Sequence, residues 1–361
     1  MQFECLSPLN LTEEDADTWR RLAALQPETR SAFLGPDWPR FVTRLDGPDA
    51  RKGRVVIVRD AGQAVGFFSY RQCGRIARAI GAPFADYQGW VLKPDVSLNP
   101  LAMLAAMEVD RLDLHHTPKE SLPFVGALRE ASAAPIVRLD EGYDAYVKER
   151  RAAGSRISQD CAKKRRKLQQ VGRLRFTPLN RDPNDLEQLL HLKRRQYQAT
   201  GQRDVLAPSW ARELFKGLQT MDTPWFSGAL FTLHLDDQLV AGHFALRGGD
   251  VLHAWIIGHD ARHGAASPGA VLIDEILRWA SANGVRELDF GLPAHHYKTR
   301  FANRCRPMAA GFLARPSWAG TWRGVQWGVR QFAQSAPLGP VSDWPGKLMR
   351  RFDRDAALRD G

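Results

Sequence analysis

S-P-G-A-V-L-I-D-E-I-L-R-W-A-S-A-N-G (267–284) runs directly into V-R-E-L-D-F-G (285–291), and this stretch decides the fold. Serine is a favoured helix cap, proline suits the first helical position, and Asn283-Gly284 is a helix stop. Leu272, Ile276 and Trp279 share one face, with Ile273, Leu277 and Ala280 beside them, so the spacing predicts a helix packed on a sheet. The residues after it read as a strand. Upstream, A-L-F-T-L-H-L-D-D-Q-L-V-A-G-H-F-A-L (229–246) reads as two strands joined by an Asp-containing turn. A third strand, Val251–Ile257, follows the R-G-G-D turn.

The same phrase occurs earlier. R-V-V-I-V-R-D-A-G-Q-A-V-G-F-F-S-Y (54–70) again runs strand, Asp turn, Val, Gly, Phe, with Gly66 and Gly242 in matching places. A repeat this far apart indicates two copies of one domain rather than a solenoid, whose periods are ~20–50 residues. Length agrees: 361 residues exceed the ~150 typical of one domain. Thr12–Leu25 and Pro36–Leu45 read as helices ahead of the first copy, and Asp185–Ala199 as one ahead of the second. The expected boundaries are 1–140, a basic helical linker over 141–200, a second domain over 201–315, and an aromatic and basic tail over 316–361.

Hydrophobic residues at 44% and charged residues at 25% fit a globular chain and exclude disorder, collagen and coiled-coil rods. Cys5, Cys73, Cys161 and Cys305 are scattered, which excludes a disulfide framework or a cysteine zinc site. His115-His116 have no partners at ligand spacing, so no metal is expected. No apolar run reaches the ~20 residues of a membrane span, and MQFECLSPLN lacks the form of a signal peptide, so a cytoplasmic location is expected. Charge is uneven: Lys148–Arg175 holds eleven Lys/Arg against Glu149 and Asp160, so nearly all of the net +11 sits there. Such a segment suits an anionic partner or forms a solvated helix face. It lacks aromatic interleaving or a recognition motif, which argues against nucleic acid.

Strand, strand, strand, capped helix, strand resembles the GNAT acyltransferase fold, more narrowly the acetyltransferase type of bacterial exopolysaccharide and cellulose-biosynthesis clusters, related to the Fem-type aminoacyl ligases. The residues carrying the resemblance are Ser267-Pro268-Gly269, Leu288–Gly291, Tyr297-Lys298 and Arg300-Phe301. G-A-P-F-A-D-Y (81–87), K-K-R-R-K-L (163–168), T-W-R-R-L (18–22) and F-L-G-P-D-W (33–38) also fit, so the likeness covers about residues 10 to 312. It implies an α/β (α+β) fold of tandem GNAT-like domains, each a mixed, mainly antiparallel sheet flanked by helices. It also implies an N-acetyltransferase using acetyl-CoA as co-substrate on an amino sugar for extracellular polysaccharide. R-H-G-A-A-S-P-G (262–269) departs from the commonest GNAT turn, Arg/Gln-x-x-Gly-x-Gly/Ala. Aminoacyl transfer from transfer RNA, as in the Fem-type relatives, therefore stays open.

An acyl-CoA carries a pyrophosphate, and a helix N-terminus offers orphan N–H groups and a dipole to it. Gly264, Ser267, Gly269 and Ala270 are thus the expected donor-binding residues. Acyl transfer to an amine needs a proton acceptor, an oxyanion donor and a proton for the leaving group. A bulge within Ala254–Gly258 can supply a backbone N–H to the oxyanion. Tyr297 is the candidate proton donor. The resemblance implies a reaction role for Lys298 beside it, and an acceptor-positioning role for Asp86 with Tyr87. A packed tyrosine and a surface lysine would account for the same letters without chemistry. Arg156, Lys163, Lys164 and Lys167 share one side of the basic helix and suit the diphosphate of a nucleotide-sugar or lipid-linked saccharide acceptor. His243, His253 and Asp289 are further candidates for acceptor contact, though satisfied structural histidines read equally well. Beyond Pro316, Trp318, Trp322, Trp327 and Trp344 interleave with arginines. Such a segment lies on the inner membrane surface or packs back on the preceding domain.

Overall fold

The structure, a computed structural model, describes residues 1–335 and 344–359. In chain order the elements are β1 (Gln2–Leu6), α1 (Glu13–Leu25), α2 (Asp37–Arg44), β2 (Gly53–Asp60), β3 (Gln63–Cys73), β4 (Ile76–Arg78), β5 (Val91–Leu92), α3 (Pro100–Ala106) and β6 (Arg111–Pro118). Then come β7 (Leu128–Arg138), α4 (Tyr143–Ala152), α5 (Ile157–Gln169), β8 (Leu174–Thr177), α6 (Pro183–Ala199), α7 (Ser209–Thr220), β9 (Ser227–Leu235), β10 (Gln238–Gly248) and β11 (Val251–His259). The chain ends with α8 (Pro268–Ala282), β12 (Glu287–Asp289), α9 (His296–Phe301), β13 (Arg304–Ala314), α10 (Trp318–Ser335) and α11 (Trp344–Arg359).

Two compact units emerge: residues 1–132 with 307–361, and residues 133–306. These bounds differ from those expected. The stretch 141–200 is no linker, because Tyr143, Tyr146, Ile157, Cys161 and Leu168 bury their side chains in the core of the second unit. The basic run is also two helices, α4 and α5, broken at Gly154 with φ +79°. The tail belongs to the first unit.

Both units repeat one topology. In the first, β1, β2, β3 and β4 pair antiparallel in order, α1 and α2 lie between β1 and β2, and β6 joins parallel to β4 after α3. In the second, β8, β9, β10 and β11 form the antiparallel run, α6 and α7 lie between β8 and β9, and β12 joins parallel to β11 after α8. Each sheet gains one more antiparallel strand. For β6 it is Met308–Ala314 of β13, and for β12 it is Ile136–Arg138 of β7. The strand following β6 in sequence thus serves the second unit, and the strand following β12 serves the first. Both units are mixed, mainly antiparallel sheets flanked by helices.

Local chemistry explains the elements. Thr12 caps α1, its hydroxyl accepting from the Asp15 N–H at 3.1 Å, and three acids in the first turn favour the helix dipole. Asp182 caps α6 in the same way, accepting from Asn184 N at 2.8 Å. The matching glycines of the two hairpins both admit a neighbour: a Cβ at Gly66 would lie 2.3 Å from Leu92 Cδ2, and one at Gly242 would lie 3.1 Å from Leu189 Cδ1. The first core stacks Trp19 on Phe67 at 4.9 Å and Phe68 on Trp90 at 4.2 Å.

Gly81 is constrained both by its backbone conformation and by a close neighbour. Its φ is +80°, and a Cβ there would lie 2.2 Å from the ring of Trp38, a buried residue whose Nε1 donates to the Ile80 carbonyl at 3.2 Å. Gly81→Ala combines left-handed backbone with overpacking and is expected to lower stability by about 2–4 kcal/mol in urea unfolding. A loss below about 0.5 kcal/mol would show that the Trp38 pocket yields.

Candidate functional site: a cavity at the start of α8

Strands β11 and β12 pair for only three residues, Val251–His253 against Glu287–Asp289. Beyond that point they part, because Phe290 turns its N–H to the Pro135 carbonyl at 3.0 Å, on the β7 side. Lys298 secures this departure: its buried ammonium donates to the Phe290 carbonyl at 2.7 Å and reaches that of Gly291 at 3.5 Å. On the other side β11 carries a bulge. Phe244 faces Ile256 and Ala245 faces Ala254, so Trp255 is the extra residue, within the expected range Ala254–Gly258.

A cavity of about 360 Å³ lies where β11 continues alone and α8 begins. Its walls include Ile257 and His259 of β11, Gly264, Ser267, Gly269, Ala270 and Ile273 at the start of α8, and Tyr297, Arg300 and Phe301 of α9. Ile157 and Lys164 of α5 and Gln196 of α6 complete them. All four expected donor-binding residues, with Tyr297 and Lys164, therefore surround one space.

The cap differs from the sequence reading. Ser267 sits at φ 45°, ψ 61°, and makes no side-chain cap; its hydroxyl instead donates to the Gly264 carbonyl at 3.4 Å. Left-handed backbone points the side chain away from the helix, so the first-turn N–H groups gain no partner from it. Gly269 is not required by packing, since a Cβ there would meet Ile257 at 3.6 Å and His259 at 3.9 Å, both ordinary contacts. What the glycine provides is room in the cavity.

The electrostatics are uneven. Lys164 and Arg300 bring positive charge to the wall, Arg300 sharing it with Asp160 at 2.7 Å. Burial pushes the Tyr297 phenol up to about 12, so it keeps its proton through the neutral range. Its ring meets Phe290 edge-on at 6.5 Å and stacks with His295 at 6.3 Å.

The other expected residues lie elsewhere. His243, His253 and Asp289 are enclosed, none more than 2% exposed, and do not line the cavity. His243 is driven down to about 3, first by burial and then by the charges of Lys298, Lys193 and His253, so its ring stays neutral. Its Nδ1 has no hydrogen-bond partner among the described residues. His253 Nδ1 lies 4.0 Å from Asp289, which also accepts from the Gly291 N–H at 2.8 Å and pairs with Arg306. These three therefore shape the sheet beneath the site. Lys298 is likewise a buried strand-end tie rather than a surface cation. Arg156, Lys163 and Lys167 are exposed and outside the cavity wall, because Lys164 follows the packed face of α5 set by Ile157, Cys161 and Leu168. Asp86 and Tyr87 belong to the first unit, where Tyr87 is core and the Asp86 carbonyl accepts from His116 Nδ1 at 3.1 Å.

Sequence reasoning passed over His259, Gln196 and Arg300 as site residues. Arg300 stood in the Tyr-Lys-x-Arg-Phe motif and had a signal. His259 and Gln196 did not, being brought in by strand length and by the angle of α6. Among the described residues no cluster of three His, Cys, Asp or Glu is arranged to hold a metal ion.

Residues 155–299 match the family model of an acetyltransferase (GNAT) domain. No curated protein matches the chain in sequence. Solved structures share its fold at low identity. FemX is 11% identical with a TM-score of 0.53, over 86% of this chain and 96% of that one. The C-terminal domain of a "Putative Lysylphosphatidylglycerol Synthetase from Agrobacterium fabrum" is 12% identical with a TM-score of 0.51, over 88% and 95%. A conserved protein of unknown function from Bacteroides thetaiotaomicron gives 10% and 0.52, over 86% and 100%. The segment that matches the family model is the one that builds the cavity from Ile157 to Tyr297, and the chain therefore carries a GNAT acetyltransferase domain and is an acyltransferase.

Proposed function

We propose that the protein is an N-acyltransferase that takes an acetyl group from acetyl-CoA in the cavity at the start of α8 and passes it to an amino sugar destined for extracellular polysaccharide. The observation carrying this reading is the cavity itself. It joins a helix N-terminus and two cations, suited to phosphate, with apolar walls from Ile157, Ile257, Ile273 and Phe301, suited to a thin pantetheine-like arm. A bound acyl-CoA supplies the activated thioester carbonyl. The chain's own residues then do the rest: Lys164, Arg300 and the first turn of α8 hold the anionic end, and Tyr297 holds a proton at its phenol oxygen. His259 places an imidazole in the same wall. Arg156, Lys163 and Lys167, exposed on or beside α5, are proposed to draw in an acceptor bearing a diphosphate.

A second reading replaces acetyl-CoA by an aminoacyl donor. It is favoured by the turn before α8, Arg262–Gly269, which lacks the commonest GNAT glycine pattern.

Calorimetric titration separates the two. Saturable acetyl-CoA binding by the full chain is expected, and Gly269→Val is expected to weaken it at least tenfold while leaving the melting temperature unchanged, because the added methyls enter the cavity. Equal binding by the variant would move the donor elsewhere. Absence of coenzyme binding together with salt-sensitive binding of transfer RNA would favour the second reading.

A further inference from the structure

Helix α10 is amphipathic in the reverse of the usual sense. A surface helix ordinarily turns charge to water and apolar groups inward. Here both cations of the helix point inward. Arg323, 2% exposed, pairs with Asp113 at 3.0 Å and with Asp353 of α11 at 2.9 Å. Arg330 pairs with Glu130 and lies over the ring of Trp327, which packs with Phe312 and Met349. Arg111 holds the Ala319 carbonyl at 2.9 Å, and Gln331 donates to the Arg129 carbonyl at 3.1 Å. The helix is thus firmly seated on its own unit.

Its outer face carries no charge. Trp318, Trp322, Val325, Val329 and Phe332 recur at alternating spacings of four and three and are 90%, 61%, 50%, 53% and 75% exposed. Trp344, Leu348 and Phe352 of α11, one turn apart, are exposed as well. Scattered apolar residues on a surface need no explanation, but a continuous stripe of this kind marks a contact. No helix among the described residues is long and apolar enough to cross a membrane.

We propose that this face lies in the headgroup layer of an anionic lipid bilayer, with the tryptophan and phenylalanine rings at the boundary of water and acyl chains. Charge selects this occupant. From Pro316 to Ser335 the sequence has no acid, and the α11 segment carries Lys347, Arg350, Arg351, Arg354 and Arg359 against Asp353 and Asp355. Of those two acids, Asp353 is already taken by Arg323. A second copy of the chain would set this surplus of cations against its own kind, whereas anionic headgroups neutralise it.

The test is flotation of the full chain with vesicles of phosphatidylcholine alone and with phosphatidylglycerol added, beside a Trp318→Ser/Trp322→Ser/Phe332→Ser variant. All three rings are exposed, so the variant should melt at the wild-type temperature, which circular dichroism checks. The wild type should float with phosphatidylglycerol vesicles and bind neutral ones at least tenfold more weakly. Its tryptophan emission should shift to the blue on binding. The variant should lose at least tenfold in binding. Equal flotation of both proteins, or none by the wild type, overturns the proposal. Self-association of the wild type that the variant abolishes, without flotation, overturns it in favour of a second copy.

Discussion

Phenylalanine in place of Tyr297 is expected to lower kcat by about 10²- to 10⁴-fold, the usual contribution of a positioned proton donor. The substitution keeps the ring that meets Phe290 and His295, so folding and acetyl-CoA affinity should stay near wild type. The phenol is raised to about 12 from its ordinary 10.0 because burial disfavours the phenolate. A raised acid favours the folded state while it is protonated. That contribution is complete below about pH 10 and fades as pH rises through 12. The proton is therefore in place at every pH where an amine acceptor is handled, and the wild-type rate should show no alkaline fall from this group below about pH 11. Steady-state kinetics with an amino-sugar acceptor provides the measurement. An unchanged kcat in Tyr297→Phe would remove the residue from the reaction and leave it a wall of the cavity.

Arg306→Met is expected to be the most destabilising single change in the second unit. The guanidinium donates to Glu287 at 2.7 Å and pairs with Asp289, and both carboxylates are no more than 2% exposed. Methionine fills the volume but takes the guanidinium away from buried carboxylates, whose other contacts include Arg138 on Glu287 at 3.1 Å, and the Gly291 N–H and His253 on Asp289. Breaking a buried ion pair from one side typically costs about 3–5 kcal/mol, and urea unfolding should read a loss of that order. Its pH dependence has a definite sign. Burial already raises Glu287 above its ordinary 4.5, and losing Arg306 raises it further. A carboxyl with a raised value favours the folded state when protonated and disfavours it as pH climbs past that value. The gap between variant and wild type should therefore be widest at neutral pH and narrow as pH falls toward 4.5. A loss under about 1 kcal/mol at pH 7 would show that the sheet does not depend on this pair. Because β12 ends at Asp289, where the strands part, the same substitution should also loosen the cavity.

The periodic elements were legible in the sequence because their signals are local. Thr12 before three acids, the Ser-Pro-Gly entry to α8 and its Asn-Gly exit are set by backbone chemistry within a few residues, and the elements end where those signals stand. The hairpin repeat around Gly66 and Gly242 was legible for the same reason, and it pointed to two copies of one topology. Gly264, Ser267, Gly269, Ala270 and Tyr297 could be grouped because a helix start and a family motif name them together.

Tertiary structure decided the rest. Whether a charged residue faces a ligand or a partner depends on residues far away in sequence. Lys298 reads as a residue of the reaction or as a surface cation, and its buried ammonium is drawn to the Phe290 carbonyl. Asp289 reads as a site acid but is claimed by Arg306, and Arg323 and Arg330, which the sequence shows only as arginines among tryptophans, are held inside by Asp113, Asp353 and Glu130. Strand partners follow the same logic, since β7 pairs with β12 and β13 with β6, about 150 and 195 residues apart. Periodicity reports which face of an element is apolar. It carries no information on which distant element will cover that face or answer its charge, and for the outer stripe of α10 no described residue of the chain does so.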